Sequence, residues 1–268
     1  MNVRRVFSGL FFCIFFLSST ASAAGKSDVL SSAPEQKTMI EKVVTHYLLA
    51  NPEILEKMSH NLQMKQQMQK QKDMTEAAIA HQAELLQGKG TPAYGPGNAK
   101  TAVVVFFDYQ CVFCSRLAPV MDAVMQSNPR VRFIFKEWPI FSQRWDNSQK
   151  AAETGLRVWL QNGDDAYLSY HNSIFGTGHN EGRLTDDDIQ HAATVANFDG
   201  TSLTDVQDTL SRINTLARQL GFEGTPGIIV MPTAGANPNN TTVITGITTT
   251  DALQAAIHRT IFENSSHR

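Results

Sequence analysis

The 268-residue sequence contains only three cysteines, too few for a fold built on a disulfide framework. It has no excess of basic charge, with 23 Lys+Arg against 25 Asp+Glu, so nothing in the balance suggests nucleic acid as a partner. It has no internal repeat. Only one apolar run stands out, Val6 to Leu17, and it falls short of the roughly 20 residues that a spanning helix needs. Arg4 and Arg5 precede that run and the small residues Ala21-Ser22-Ala23 follow it. This is the pattern of a secretory signal peptide over 1–23, cleaved near Ala23, and the alternative of an uncleaved anchor suffers from the short run. Cys13 leaves with the leader, as do Arg4 and Arg5, so the mature formal charge is 21 − 25 = −4. A cleaved leader implies an exported protein in a compartment where disulfides persist.

The two remaining cysteines stand at Cys111-Val112-Phe113-Cys114. Thr101 to Phe107 is a continuous β-branched and aromatic run, as in strands buried on both faces. A helix with Leu117, Val120, Met121 and Val124 on one side follows, and Pro119 inside it is expected to kink it. Cys111 then opens the helix, where unpaired backbone N–H groups and the dipole favour a thiolate, whereas Cys114 lies one turn in. That makes Cys111 the attacking and attacked sulfur and Cys114 the resolving thiol. A zinc half-site would need two more ligands, and the nearest pair, His171 and His179, has no usual ligand spacing. A purely structural bridge over so short a loop would restrain the unfolded chain little.

The remaining order is strand (Val131 to Phe135), a mostly helical block from about 146 to 220, two strands (Gly227 to Met231 and Thr242 to Ile247) and a closing helix (Asp251 to Phe262). In the block, Thr185 before Asp186, Asp187 and Asp188 marks a capped helix start, with Leu184 placed against Ile189. This is the α/β order of a thioredoxin-like fold with a helical insertion, over 94–264. The segment 35–90 is helical throughout. Met39, Ile40, Val43, Val44, Tyr47 and Leu48 form one stripe, Asn51-Pro52 restarts the chain as N-cap and first turn, and Gln63 to Asp73 reads as a solvated rod. The stripe either packs on the catalytic domain or forms a homodimer through 35–90. Met39, Met58, Met64, Met68 and Met74 also admit an adaptable binding surface or a soft-metal site, although plain packing explains them more simply.

Phe106 to Cys114, Lys136-Glu137-Trp138-Pro139 and Gly224-Thr225-Pro226 together resemble periplasmic DsbA-like thiol-disulfide oxidoreductases of bacteria, over about 94–257. The N-terminal helices resemble the dimerising extensions of some larger members and of the related isomerases. The resemblance implies an enzyme that oxidises or isomerises disulfides in reduced or misoxidised exported proteins, served by a membrane redox partner, with no cofactor beyond the Cys111-Cys114 disulfide and no metal. It places Pro226 in a cis-proline loop facing the pair, with the backbone beside Thr225 free to pair with extended substrate. Thr225 before that proline looks more like the isomerases than the strong oxidase. The chain departs from the strongest oxidants at Val112 and Phe113, both apolar where a polar or cationic residue often holds the thiolate; a less depressed Cys111 pKa is the expectation, with Phe113 as a substrate contact or a packing residue. Glu137 is either a solvated strand end or a buried carboxylate that relays protons. Asp108 and Tyr109 are expected to be structural, and Gln143, Arg144, Trp145 and His171 are candidates for the substrate face. The competing function is a dimeric periplasmic chaperone or Met-rich metal carrier whose cysteines are secondary.

Overall fold

The computed structural model describes residues 28–87, 90–201 and 204–265; the leader, with Cys13 and the cleavage region, lies outside the described residues. The chain divides into two compact units, Met1–Gln63 and Met64–Arg268.

In the first unit, α1 (Asp28–Ala50) ends where Asn51 begins the turn into α2 (Glu53–Ala80). Asn51 does not cap α2 with its side chain: its amide instead donates to the Tyr47 carbonyl at 2.7 Å and closes the end of α1, where carbonyls lack helical partners. Met39, Ile40, Val43, Val44 and Tyr47 on α1, with Leu55, Met58 and Leu62 on α2, are all exposed.

In the second unit, β1 (Ala93–Tyr94), β2 (Thr101–Phe107), β3 (Arg132–Glu137), β4 (Gly227–Pro232) and β5 (Thr242–Thr245) form one sheet in the order β1-β3-β2-β4-β5. β2 and β3 are parallel, joined through α4 (Val112–Ser127), while β4 runs antiparallel to both β2 and β5. The sheet is central because β2 and β4 are buried at every position.

Side chains alternate between the two faces of each strand. Val103, Val105, Phe107, Phe133, Phe135, Ile228 and Val230 share one core with α4, α5 (Asp146–Gly176), α6 (Asp186–Val195) and α8 (Thr250–Ser265). Ala102, Val104, Phe106, Ile134, Ile229 and Met231 meet α7 (Gln207–Gln219) on the other side. That second core also takes Met74 and Ala78 from α2 and Leu85 from α3 (Gln82–Gln87). The second compact unit therefore begins at Met64 and takes in the end of the helical segment 35–90. The Gln/Lys-rich rod Gln63 to Asp73 is exposed along its whole length, and it still reaches the rest of its unit: Gln71 donates to the Val243 carbonyl at 2.9 Å and Lys70 pairs with Glu223 at 2.8 Å. Met74 is a core residue and leaves the Met-rich surface proposed for it.

Between β3 and β4 the chain is mostly helical, from α5 to α7. Thr185 and Asp188 form a reciprocal capping box, and Leu184 and Ile189 enter the same core. α5 is interrupted at Gly163, whose φ of +82° is one that side chains with a Cβ rarely adopt. Gly155 permits a close approach within α5: a Cβ there would lie 2.9 Å from Glu137 Oε1 and 3.0 Å from the Tyr170 ring. Gly155→Ala is expected to cost about 1–3 kcal/mol by overpacking, read from urea unfolding.

Candidate active site

Phe107, at the C-terminal end of β2, is followed by a turn tied down on all sides. Asp108 is buried, accepting from the Gln110 N–H at 2.8 Å, the Phe141 N–H at 2.9 Å and the Ser148 hydroxyl at 2.7 Å. Gln110 is held by the loop between α5 and α6, its carbonyl accepting from the Glu181 N–H and its Oε1 from the Gly182 N–H. These bonds leave Cys111 as the N-cap of α4, in extended conformation.

Cys111 and Cys114 are both thiols and both buried, at 3% and 2% exposure. The Cys111 pKa falls from the usual 9 to about 6, chiefly because the Cys114 thiol donates to it; burial opposes this, and the Thr225 hydroxyl and the N–H groups of Cys114 and Phe113 reinforce it. Burial, then the hydrogen bond to Cys111, pushes Cys114 well above the ordinary thiol value. At neutral pH this gives one thiolate and one thiol. Phe113, between them, is half exposed, with the Arg116 guanidinium 5.9 Å from its ring centroid.

The loop before β4 faces this pair. The Thr225-Pro226 peptide is cis, and Cys111 Sγ lies 3.3 Å from the Thr225 carbonyl oxygen, to which it donates while protonated. The Thr225 Oγ1, buried and without a geometric hydrogen-bond partner among the described residues, sits close enough to the sulfurs to favour their ionised forms. Thr225 thus stands against Cys111, with Pro226 next to it in the chain, and Val112 and Phe113 follow Cys111 into α4.

Glu137 differs from the solvated strand end that the sequence favours. It is fully buried at the end of β3, beside Phe107 in the parallel register. Its Oε1 accepts from the Tyr109 hydroxyl at 2.9 Å and the Tyr167 hydroxyl at 2.8 Å, whereas Oε2 has no partner among the described residues. Burial raises its pKa well above the usual carboxylate value, against the pull of the two tyrosines. No described hydrogen bond joins it to either sulfur; Tyr109, one of its two donors, stands two residues before Cys111 in the chain. His171 is likewise buried, among the rings of Phe107, Tyr109, Phe135 and Phe175, with Nδ1 3.2 Å from the Tyr109 hydroxyl. Burial lowers its pKa to about 3 and places it inside the core rather than on the substrate face; His179 pairs with Asp188 at 2.9 Å. Arg144 stacks on Trp145 with its guanidinium 4.6 Å from the ring centroid. No group of three or more His, Cys, Asp or Glu among the described residues has metal-site geometry. The tyrosines of α5 were missed in the sequence, and no signal there links positions so far from the cysteines.

The thioredoxin family profile matches residues 87–257, and that of the copper resistance protein ScsC N-terminal domain matches residues 36–69. No curated protein sequence matches the chain. Among solved structures, BcfH of Salmonella enterica Typhimurium is 40% identical, over 86% of this chain and 98% of that one, with a TM-score of 0.74. Proteus mirabilis ScsC in a transitional conformation is 26% identical over 86% and 99% of the two chains, with a TM-score of 0.60. A periplasmic thioredoxin-like protein from Salmonella enterica serovar Typhimurium is 27% identical over 66% and 94%, with a TM-score of 0.56.

Proposed function

Because this chain belongs to the thioredoxin family, we propose that it is a periplasmic thiol–disulfide oxidoreductase that forms or reshuffles disulfides in exported proteins. The observation that carries this reading is the asymmetry of the pair: a Cys111 thiol brought down to about 6 beside a Cys114 thiol held up by burial, both against the cis Thr225-Pro226 loop. A client thiolate attacks Cys111 Sγ of the disulfide form, the Cys111–Cys114 bond breaks, and Cys114 leaves with the electron pair. A second client thiolate then attacks the client sulfur of the mixed disulfide, releasing an oxidised client and the dithiol enzyme. In isomerisation the dithiol form starts the cycle: the Cys111 thiolate attacks a wrong client disulfide, the freed client thiolate attacks another client disulfide, and the thiolate released there attacks the client sulfur bonded to Cys111, so that Cys111 leaves as thiolate and the dithiol enzyme is restored.

The Cys111 value of about 6 falls between the roughly 7 of thioredoxin and the roughly 3.5 of the strongest oxidase. It supports a pair of intermediate oxidising strength, in keeping with the apolar Val112 and Phe113. The periplasmic setting is supported by the leader pattern and by the periplasmic relative; no helix among the described residues is long and apolar enough to cross a membrane. The test is recovery of a reduced, scrambled disulfide protein: the enzyme is expected to speed it in a glutathione buffer, and no acceleration would reject the reading.

The exposed stripe of α1 and early α2 supports self-association, since apolar side chains at this density cost less when covered. A homodimer is the expected state, measured by light scattering. Removal of 34–63 should give a monomer that still exchanges disulfides but isomerises poorly, because a client must be held while its bonds rearrange. A deletion carried through Gln87 would instead take Met74, Ala78 and Leu85 out of the core.

A further inference from the structure

Resting on that reading, we propose that the second half of α2 forms a wall of the client-binding cleft and reads the polypeptide flanking the client cysteine. A cleft of about 610 Å³ runs beside the redox centre, bordered by Gln66, Gln67 and Lys70 of α2, by Phe113, by Thr225 and by Gly246 just past β5. It is continuous with the chemistry, because Phe113 lies between the cysteines and the Thr225 carbonyl holds Cys111 Sγ at 3.3 Å. A chain whose cysteine is bonded to Cys111 must leave the centre past these groups.

The lining selects the occupant. Lys70 and Glu223 pair at 2.8 Å, so the two charges at the cleft offset each other and give no handle for a strongly charged ligand. Gln66 and Gln67 have no hydrogen-bond partners among the described residues, although Gln71 beside them is committed to the Val243 carbonyl and Gln69 to Asp73. Two uncommitted amides offer donors and acceptors matched to peptide groups. β5 is the outer strand of the sheet, and its end borders the same cleft, which suits an extended segment. The ligand class is therefore an extended, uncharged polypeptide, recognised through its backbone and open to many sequences.

Two substrates separate this proposal from the function it rests on. One is a cysteine peptide with long uncharged flanks, the other a cysteine dipeptide too short to reach α2, each disulfide-bonded to thionitrobenzoate. The Cys111 thiolate attacks the peptide sulfur and expels the coloured thiolate; Cys114 then closes the enzyme disulfide and releases the peptide thiol. The long peptide is expected to saturate at a concentration at least about tenfold lower than the dipeptide. Gln66→Ala with Gln67→Ala should raise the long-peptide half-saturation about 25-fold, from roughly fivefold for each net hydrogen bond lost, with the Cys111 thiolate still titrating near pH 6. Alanine favours the helix, so folding is not at risk. Equal half-saturation for the two substrates, or no change in the double variant, overturns the cleft proposal alone. Absence of colour release from both substrates with the parent protein overturns the redox reading instead.

Discussion

Cys111→Ser is expected to eliminate disulfide exchange completely, since a hydroxyl at the start of α4 forms no mixed disulfide under these conditions. The parent enzyme in its dithiol form should react with a client disulfide at a rate that follows the thiolate fraction. That rate falls about tenfold per pH unit below the Cys111 value of about 6 and levels off above it. The same shift stabilises the folded dithiol form. The folded pKa is depressed from 9 to about 6, so the contribution is fully present above pH 9 and is lost as pH falls through 6. Three units correspond to at most about 4 kcal/mol. Urea unfolding of the dithiol form from pH 5 to 9 should show this slope, and Cys111→Ser should remove it. Because the disulfide form has no thiolate to stabilise, the same energy drives the pair toward accepting electrons. A flat rate profile across pH 6 would contradict the assignment of Cys111 as the attacking sulfur.

Glu137→Ala is expected to destabilise the fold by about 3 kcal/mol or more, because it strips the buried Tyr109 and Tyr167 hydroxyls of their shared acceptor and leaves a void beneath α5. Tyr109 lies two residues before Cys111, so the thiolate midpoint should move as well. Glu137→Gln separates charge from packing. The carboxyl has a folded pKa raised above its usual 4.5, mainly by burial. Its contribution is therefore present below pH 4.5 and lost as pH rises through the folded value, where the unfolded chain releases a proton that the folded chain keeps. The amide keeps an oxygen for the tyrosines and does not titrate, so stability in urea should fall less steeply with rising pH than in the parent. Identical pH profiles for the two proteins would show that the carboxyl is ionised in the fold.

Much of the catalytic unit was legible in the sequence because its signals are local. Thr101 to Phe107 followed by Cys111 gives a strand running into a helix, Thr185 to Asp188 closes a capping box on itself, and Thr225-Pro226 leads into an apolar strand. Other features depend on what lies across the fold. Glu137 looks like a charged strand end until Tyr109 and Tyr167 are seen to converge on it from another loop and another helix. Asn51 suits either helix it joins, and hydrogen bonding to Tyr47 selects the earlier one. The Gln/Lys-rich stretch of α2 has too weak an apolar face to reveal that Met74 and Ala78 complete a core formed mainly by residues more than 100 positions away.

The sequence by itself determined where the Cys111–Cys114 pair stands, which of its two sulfurs opens the helix, the strand and helix order around it, and the expectation of export. Each rests on residue types a few positions apart, where periodicity and capping chemistry act. Tertiary structure decided which part of α2 packs with the sheet, the burial of Glu137 and His171, the contact between Cys111 and Thr225 and the cleft walled by α2. Those follow from which faces of the sheet need covering and from groups brought together across long stretches of chain. Local composition carries no record of either.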